Sequence, residues 1–299
     1  MIEEIIIYST ISGGVYALLA LGFTLIYGVS GVVNLAHGSF YMLGAYMFYV
    51  LGTFAPELPP ILAVILAVVF VILAVVFVGV VSSILYRLTI HPVLGDEVGV
   101  MVVTVCLALI FQQLMLLAFG PPNVPVDPLI KGSVPILGVT VTYARILAFA
   151  VSLFLFASLW IFISKSKIGK AMRAVSQDRE VAMLMGINTE KLYMLAMATS
   201  SMLAAVAGIF ISGSTSGVAG AWIWMYPLAL SFSIVVLGGL GSIKGSLIGG
   251  FIIGYAEQTV IIVAPEGGQI VSVVPFTVMV LVLLLRPKGL FGKRIEMED

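Results

Sequence analysis

Few residues in this 299-residue chain can do chemistry where they stand. Asn34 and His37 sit in the turn GVSGVVNLAHGS (28–39), closed by Ser39, between two apolar stretches. Polar groups at membrane depth face protein or a water-filled path. A histidine in such a turn has two uses: to carry protons, or to hydrogen-bond backbone left unpaired where a helix is broken. The second is the expectation for His37. Glu257, beside Gln258 in another apolar run, is costly to bury and needs a partner. A structural pair and a place in a pathway are both open for it. Ser212, Ser214 and Thr215 add hydroxyls at the end of a third apolar run. These seven positions are the candidates for a translocation path. Other chemistry is missing from the sequence. No GxxxxGK[ST] phosphate loop occurs, so the chain itself should not hydrolyse ATP. Two histidines far apart and the single Cys106 make no metal cluster, and no nucleophile stands in an enzyme motif. No enzymatic activity and no bound cofactor are expected. Cys106 lies in an apolar run and is expected to be a small packing residue.

The elements that must hold these residues are membrane helices. Hydrophobic residues make up 61% of the chain and charged ones only 9%, against about a quarter charged in soluble domains. The mean hydropathy of +1.21 exceeds what one water-exposed core could hide. Net charge is zero, so no basic footprint for nucleic acid exists. The expected fold is an all-α integral membrane protein, a polytopic bundle of about nine (eight to ten) transmembrane helices. The spans are read at 5–28, 39–55, 60–84, 98–119, 145–164, 193–212, 223–240, 246–263 and 270–286. The second is short, and the seventh is interrupted by Gly238, Gly239 and Gly241, so either could be broken or re-entrant. The opening MIEE lacks a basic n-region, and the first run reads as a retained anchor.

Lys and Arg collect on the cytoplasmic side of membrane proteins. Arg87, the 165–191 segment, Lys244, Arg286, Lys288, Lys293 and Arg294 fall on one side of a nine-span chain. That leaves the N-terminus outside and the C-terminus in the cytoplasm. Lys131 and Arg145 are the exceptions. The segment 120–142, with Pro121, Pro122, Pro125 and Pro128, reads as an ordered external stretch. A faint internal repeat links LALGFTL (19–25) to LALSFSI (228–234), each leading through a glycine turn to Gly-Ser.

Two stretches carry packing or coupling signals. Ala196, Ser200, Ala204, Gly208 and Ser212 recur every four residues, a small-residue face that lets another backbone come close. The segment 165–191 is the one strongly charged, helix-competent stretch among the spans. Gly169 to Ala174 can form one short helix, Asp178 can cap a second, and Gly186 suits a left-handed stop. Val181, Leu184 and Met185 then cluster on one side, as a free loop would not require. The whole of 1–299 reads as a single transmembrane domain with 165–191 as its cytoplasmic coupling loop.

Three stretches, GVYALLALGFTLIYGVSGVVNLAHGSFYMLGAY (14–46), GKAMRAVSQDREVAMLMGIN (169–188) and LGGLGSIKGSLIGG (237–250), resemble the permeases of branched-chain amino acid ABC importers. NLAHG favours the H type (LivH). The resemblance covers nearly the whole chain in the expected order. It implies a permease subunit in a prokaryotic inner membrane, among lipids. It also implies a second related permease, two cytoplasmic ATPase subunits that bind ATP and Mg, and an extracytoplasmic substrate-binding protein. In such importers a cytoplasmic loop enters a cleft on the ATPase, a role that would fall to Gly169, Arg173, Ala174, Asp178, Ala182 and Gly186. Permeases for urea and short-chain amides are similar. An ion-coupled secondary transporter, with Glu257 and His37 as its coupling groups, is the reading from a different class. Asn34, His37, Ser39, Ser212, Ser214 and Thr215 are too scattered to grip an ammonium and a carboxylate together. Selectivity is therefore expected to reside mainly in the binding protein.

Overall fold

The computed structural model describes residues 1–54, 59–121, 123–126, 128–214, 217–218, 220–264 and 270–292. Thr215, Lys293 and Arg294 lie outside the described residues. Helix dominates because the apolar runs are long and, in lipid, every backbone N–H and C=O must be paired within its own segment. The helices are α1 (Ile2–Ser30), α2 (His37–Thr53), α3 (Pro60–Leu85), α4 (Glu97–Phe119) and α5 (Tyr143–Lys165). They continue as α6 (Lys167–Gln177), α7 (Arg179–Leu184), α8 (Thr189–Ser214), α9 (Met225–Gly238), α10 (Ile243–Val263) and α11 (Val274–Leu285). Each of the nine expected spans falls on one of these helices, and six are long and apolar enough to cross a bilayer by themselves.

The fold departs from a purely helical one between α4 and α5. There β1 (Ser133–Ile136) pairs antiparallel with β2 (Val139–Thr142). Leu137 and Gly138 turn the hairpin with φ of 50° and 81°, the left-handed pair that matches strand twist. Val124 and Val218 exchange backbone hydrogen bonds at 3.0 and 2.8 Å, tying this outer stretch to the segment that leads into α9.

Helices α1 and α8 are the centre of the bundle. Within its most apolar stretch α8 is 67% buried, whereas the helix running on from α3 is 11% buried and presents Val, Ile, Leu and Phe outward. Apolar side chains on that face cost nothing against lipid, so they need no partner in this chain. Cys106 also stands on an exposed face of α4 rather than in packing.

Two expected spans reach only about two thirds of the way across, and a third is short. Helix α9 has 14 residues, about 21 Å against a hydrocarbon core of about 30 Å. Helix α11 has 12, preceded by one 3-10 turn (Val271–Val273), where 270–286 was expected as one helix. Helix α2 has 17 and starts well inside the bundle. Its position is fixed by His37, whose Nε2 donates to the Leu19 carbonyl oxygen at 3.0 Å. Leu19 lies eleven residues before the end of α1, about 16 Å deep. The start of α9 is at similar depth. Trp224 Nε1 donates to Gln112 Oε1 at 2.6 Å, near the middle of α4, and the Trp224 backbone abuts Gly38. The chain thus leaves α1, folds back on itself and begins α2 at mid-depth, and α9 also begins at mid-depth.

Candidate functional site

The expected path residues do not form one site. Asn34, His37 and Ser39 are brought together at the start of α2, all buried. The Ala36 N–H donates to Asn34 Oδ1 at 3.0 Å, Asn34 Nδ2 lies 3.2 Å from Met197 Sδ, and Ser39 Oγ donates to the Ala36 carbonyl at 2.7 Å. His37 Nδ1 meets Ser200 Oγ at 3.3 Å while its other nitrogen donates to Leu19. In the neutral ring that leaves Nδ1 to accept the Ser200 hydroxyl. The Phe23 ring closes edge-on over the imidazole, centroids 5.5 Å apart. Asn34 and Ser39 satisfy backbone in the turn between α1 and α2, whereas the carbonyl that His37 meets lies within the unbroken α1 and not at a helix break as expected; all three are packed between α1, α2 and α8.

Glu257 is buried in a separate place on α10. The Tyr226 hydroxyl, from the first turn of α9, donates to its Oε1. The Tyr16 side chain of α1 also interacts with this carboxylate. An acid from α10 and a phenol from the mid-depth start of α9 thus lock the short helix to its neighbour. Ser212 is buried in α8, and Ser214 Oγ donates to the Ile211 carbonyl at 2.8 Å near the helix end.

The small-residue face lies where helices meet. Ala196, Ser200, Ala204, Gly208 and Ser212 are all buried on α8. A Cβ on Gly208 would strike the Tyr41 carbonyl oxygen, and one on Gly44 would come within 2.6 Å of Ala205 Cα. Helices α2 and α8 therefore touch backbone to backbone.

The 165–191 segment is built from two capped helices. Ser166 Oγ accepts the Gly169 N–H at 2.8 Å, starting α6, and Asp178 Oδ1 accepts the Val181 N–H at 2.9 Å, starting α7. Gly186 has φ of 80°, a value that disfavours any residue with a Cβ, and ends the second helix. Gly169, Met172 and Val175 turn inward, and a Cβ on Gly169 would press into the backbone of α5 at Ile163. Arg173 donates to the Ser164 carbonyl at 3.1 Å, and Ala174 is half-buried. The Arg179 guanidinium lies 5.6 Å over the Tyr193 ring of α8.

On α7 the faces separate. Val181, Leu184 and Met185 are 54%, 86% and 78% exposed, while Ala182 is 3% exposed and packs inward. Ala182, given a coupling role by the resemblance, is therefore not itself part of the outward face. It falls one position off the Val181–Leu184–Met185 stripe and seats α7 on the bundle. The six expected coupling residues divide accordingly: Gly169, Arg173 and Ala182 hold the segment to the bundle, Asp178 and Gly186 shape it, and Ala174 is intermediate. The outward apolar triad is the part left uncovered.

The chain's sequence matches the family model described as branched-chain amino acid transport system / permease component over residues 5–283. It is 31% identical to the high-affinity branched-chain amino acid transport system permease protein BraD of Pseudomonas aeruginosa, over 94% of this chain and 92% of that one. It is 30% identical to the permease protein LivH of the corresponding systems of Escherichia coli and Salmonella typhimurium, with the same coverage. Among solved structures, a PsaBC structure from Streptococcus pneumoniae in complex with Fab aligns with a TM-score of 0.51 at 14% identity. It covers 96% of this chain and 97% of that chain, which is a likeness of fold. With a family match over nearly its full length, the chain belongs to the permease components of branched-chain amino acid transport systems, multi-pass membrane proteins with no catalytic role of their own.

Proposed function

We propose that this chain is one permease half of an ATP-driven importer for branched-chain amino acids, and that α6 and α7 dock it to a cytoplasmic ATPase. The single observation that carries the docking is the uncovered triad Val181, Leu184 and Met185 on a capped, ordered knob. In water such a face raises the free energy by roughly 25 cal/mol for each Å² of apolar surface left exposed, so a knob held rigid with that face outward suits a partner's cleft. Arg87 at the end of α3, Lys244 at the start of α10 and Arg286 at the end of α11 share the face of the bundle that bears the knob. His91 lies 3.9 Å from Glu190 there, which ties the segment after α3 to the first turn of α8. The Lys and Arg bias makes that face cytoplasmic, with the N-terminus outside.

A second related permease would complete the path, two ATPase subunits would bind ATP and Mg, and an extracytoplasmic binding protein would deliver substrate. The ATPase would bind ATP with different affinity in two arrangements of the knob, and that difference would move the helices behind it. The relatives named for branched-chain amino acids favour those substrates over urea or short amides. His37 and Glu257, the coupling pair of the ion-coupled alternative, have different hydrogen-bond partners, Leu19 and Ser200 for the first and Tyr226 for the second, which favours the ATP-driven reading.

Uptake of labelled leucine into vesicles carrying the importer tests the reading. ATP-dependent uptake that persists when the ion gradients are collapsed, and that isoleucine and valine but not urea inhibit, is expected. Uptake that follows an ion gradient without ATP would contradict it.

A further inference from the structure

The fold assembles a polar cluster that the sequence order hides. Helices α1, α5, α8 and α10 line a partly open cavity of about 150 Å³. Its polar wall is Tyr8, Ser12, Tyr16, Arg145, Ser214 and Gln258. Ile11, Val15 and Phe210 are among the residues that add apolar surface. Arg145 stands in the first turn of α5, about 30 Å along that helix from Lys165 and the knob. The other contributors come from the first half of α1 and the last turns of α8 and α10, so all four helices present the same end of the bundle.

Arg145 is a basic residue on the face where the charge bias puts few. Its guanidinium lies 4.7 Å over the Tyr8 ring, and among the described residues no carboxylate pairs with it. Tyr8 is itself held, its hydroxyl donating to the Thr140 carbonyl of β2 at 2.9 Å. Gln258 Nε2 donates to Ser12 Oγ at 3.2 Å, which fixes the amide and leaves its carbonyl oxygen as an acceptor in this wall.

We propose that this cavity is a handover subsite for a small aliphatic amino acid on the extracytoplasmic side. Arg145 receives the carboxylate through its planar fork of donors. Gln258 and Ser12 supply oxygen acceptors for the ammonium, and Ile11, Val15 and Phe210 take the side chain. A cavity of about this volume holds a benzene-sized molecule, which admits a branched aliphatic side chain and excludes an indole. Among the described residues no carboxylate lines the cavity, so binding is weak, as suits a ligand that must move on. The identity of the amino acid and the side of the membrane rest on the proposed function; recognition of the carboxylate by Arg145 does not.

Membrane vesicles bearing the intact importer are treated with an arginine-directed arylglyoxal, and peptide mapping reads the rate at Arg145 with Arg173 as internal reference. Millimolar leucine and 4-methylpentanoate should each slow modification of Arg145 by at least about threefold, and leucinamide and tryptophan should not. No protection by either carboxylate, or equal protection by leucinamide, would overturn the subsite. This assay needs no variant. As a second measurement, Arg145→Gln should lower leucine uptake about tenfold at an unchanged level of assembled importer, and uptake at the wild-type rate would overturn the proposal. Protection by leucine in vesicles that transport no leucine would refute the transport reading and keep the carboxylate subsite.

Discussion

The seam between α2 and α8 and the outer face of α7 are both apolar, yet they obey opposite rules. At the seam, Gly44, Ala205 and Gly208 are small and in backbone contact, and Ala204 beside them is small and buried. On α7, Val181, Leu184 and Met185 are large, exposed and touch nothing that covers them. Lipid is as apolar as leucine, so large apolar residues bring membrane helices together no better than they bring them to lipid. Close approach comes from the residues that leave room. In the aqueous loop the ordinary hydrophobic penalty returns, and large exposed residues mark a place for another molecule. The same residue property therefore reads as structure at one depth and as docking at another.

The largest effect should come from filling the seam. Gly208→Leu puts a side chain where the Tyr41 carbonyl already sits. Overpacking of this kind costs about 3 kcal/mol or more when the obstacle is backbone. The full-length protein recovered from membranes should fall severalfold, and normal recovery would show that the seam opens readily. Next in size is Gly186→Val, which forces a β-branched residue to φ of 80° at a cost of about 1–2 kcal/mol. Insertion should be normal and uptake reduced, and uptake at the wild-type rate would mean that the shape of the knob does not matter. Ala182→Glu sharpens the distinction within α7. Because Ala182 packs inward, this change should loosen the knob itself, seen as faster proteolysis between 165 and 191; unchanged proteolysis would put Ala182 on the outer face after all. The smallest effect is expected from Ser176→Cys, an exposed site on α6. Function should be unaffected, and an impermeant thiol reagent should label it only after cells are opened. Labelling in intact cells would invert the orientation.

The sequence made the spans legible because hydropathy and length are one-dimensional properties, and the caps at Asp178 and Gly186 were legible because they act within a few residues. Depth was not legible. That α2 and α9 begin midway depends on His37 reaching Leu19 and Trp224 reaching Gln112, contacts between distant stretches. The hairpin at 133–142 was hidden in a stretch where prolines suggested only extension. The inward position of Ala182 was not legible from its coupling role, because each residue of the six-residue α7 turns about 100° from the last and one position separates outward from inward. The Arg145 cavity draws on four helices, and its polar residues look like isolated exceptions when taken one at a time.

The central claim is that α7 meets the ATPase through its apolar triad. Leu184→Glu with Met185→Glu tests it most directly, because both residues are exposed and the change leaves the bundle untouched. Permease and ATPase are co-purified and the ATPase retained per permease is measured. We predict wild-type amounts of permease in the membrane, with ATPase retention and ATP-driven leucine uptake both reduced about tenfold or more, the loss expected from placing two charges in an apolar cleft. Full retention of the ATPase together with uptake at the wild-type rate would contradict the account.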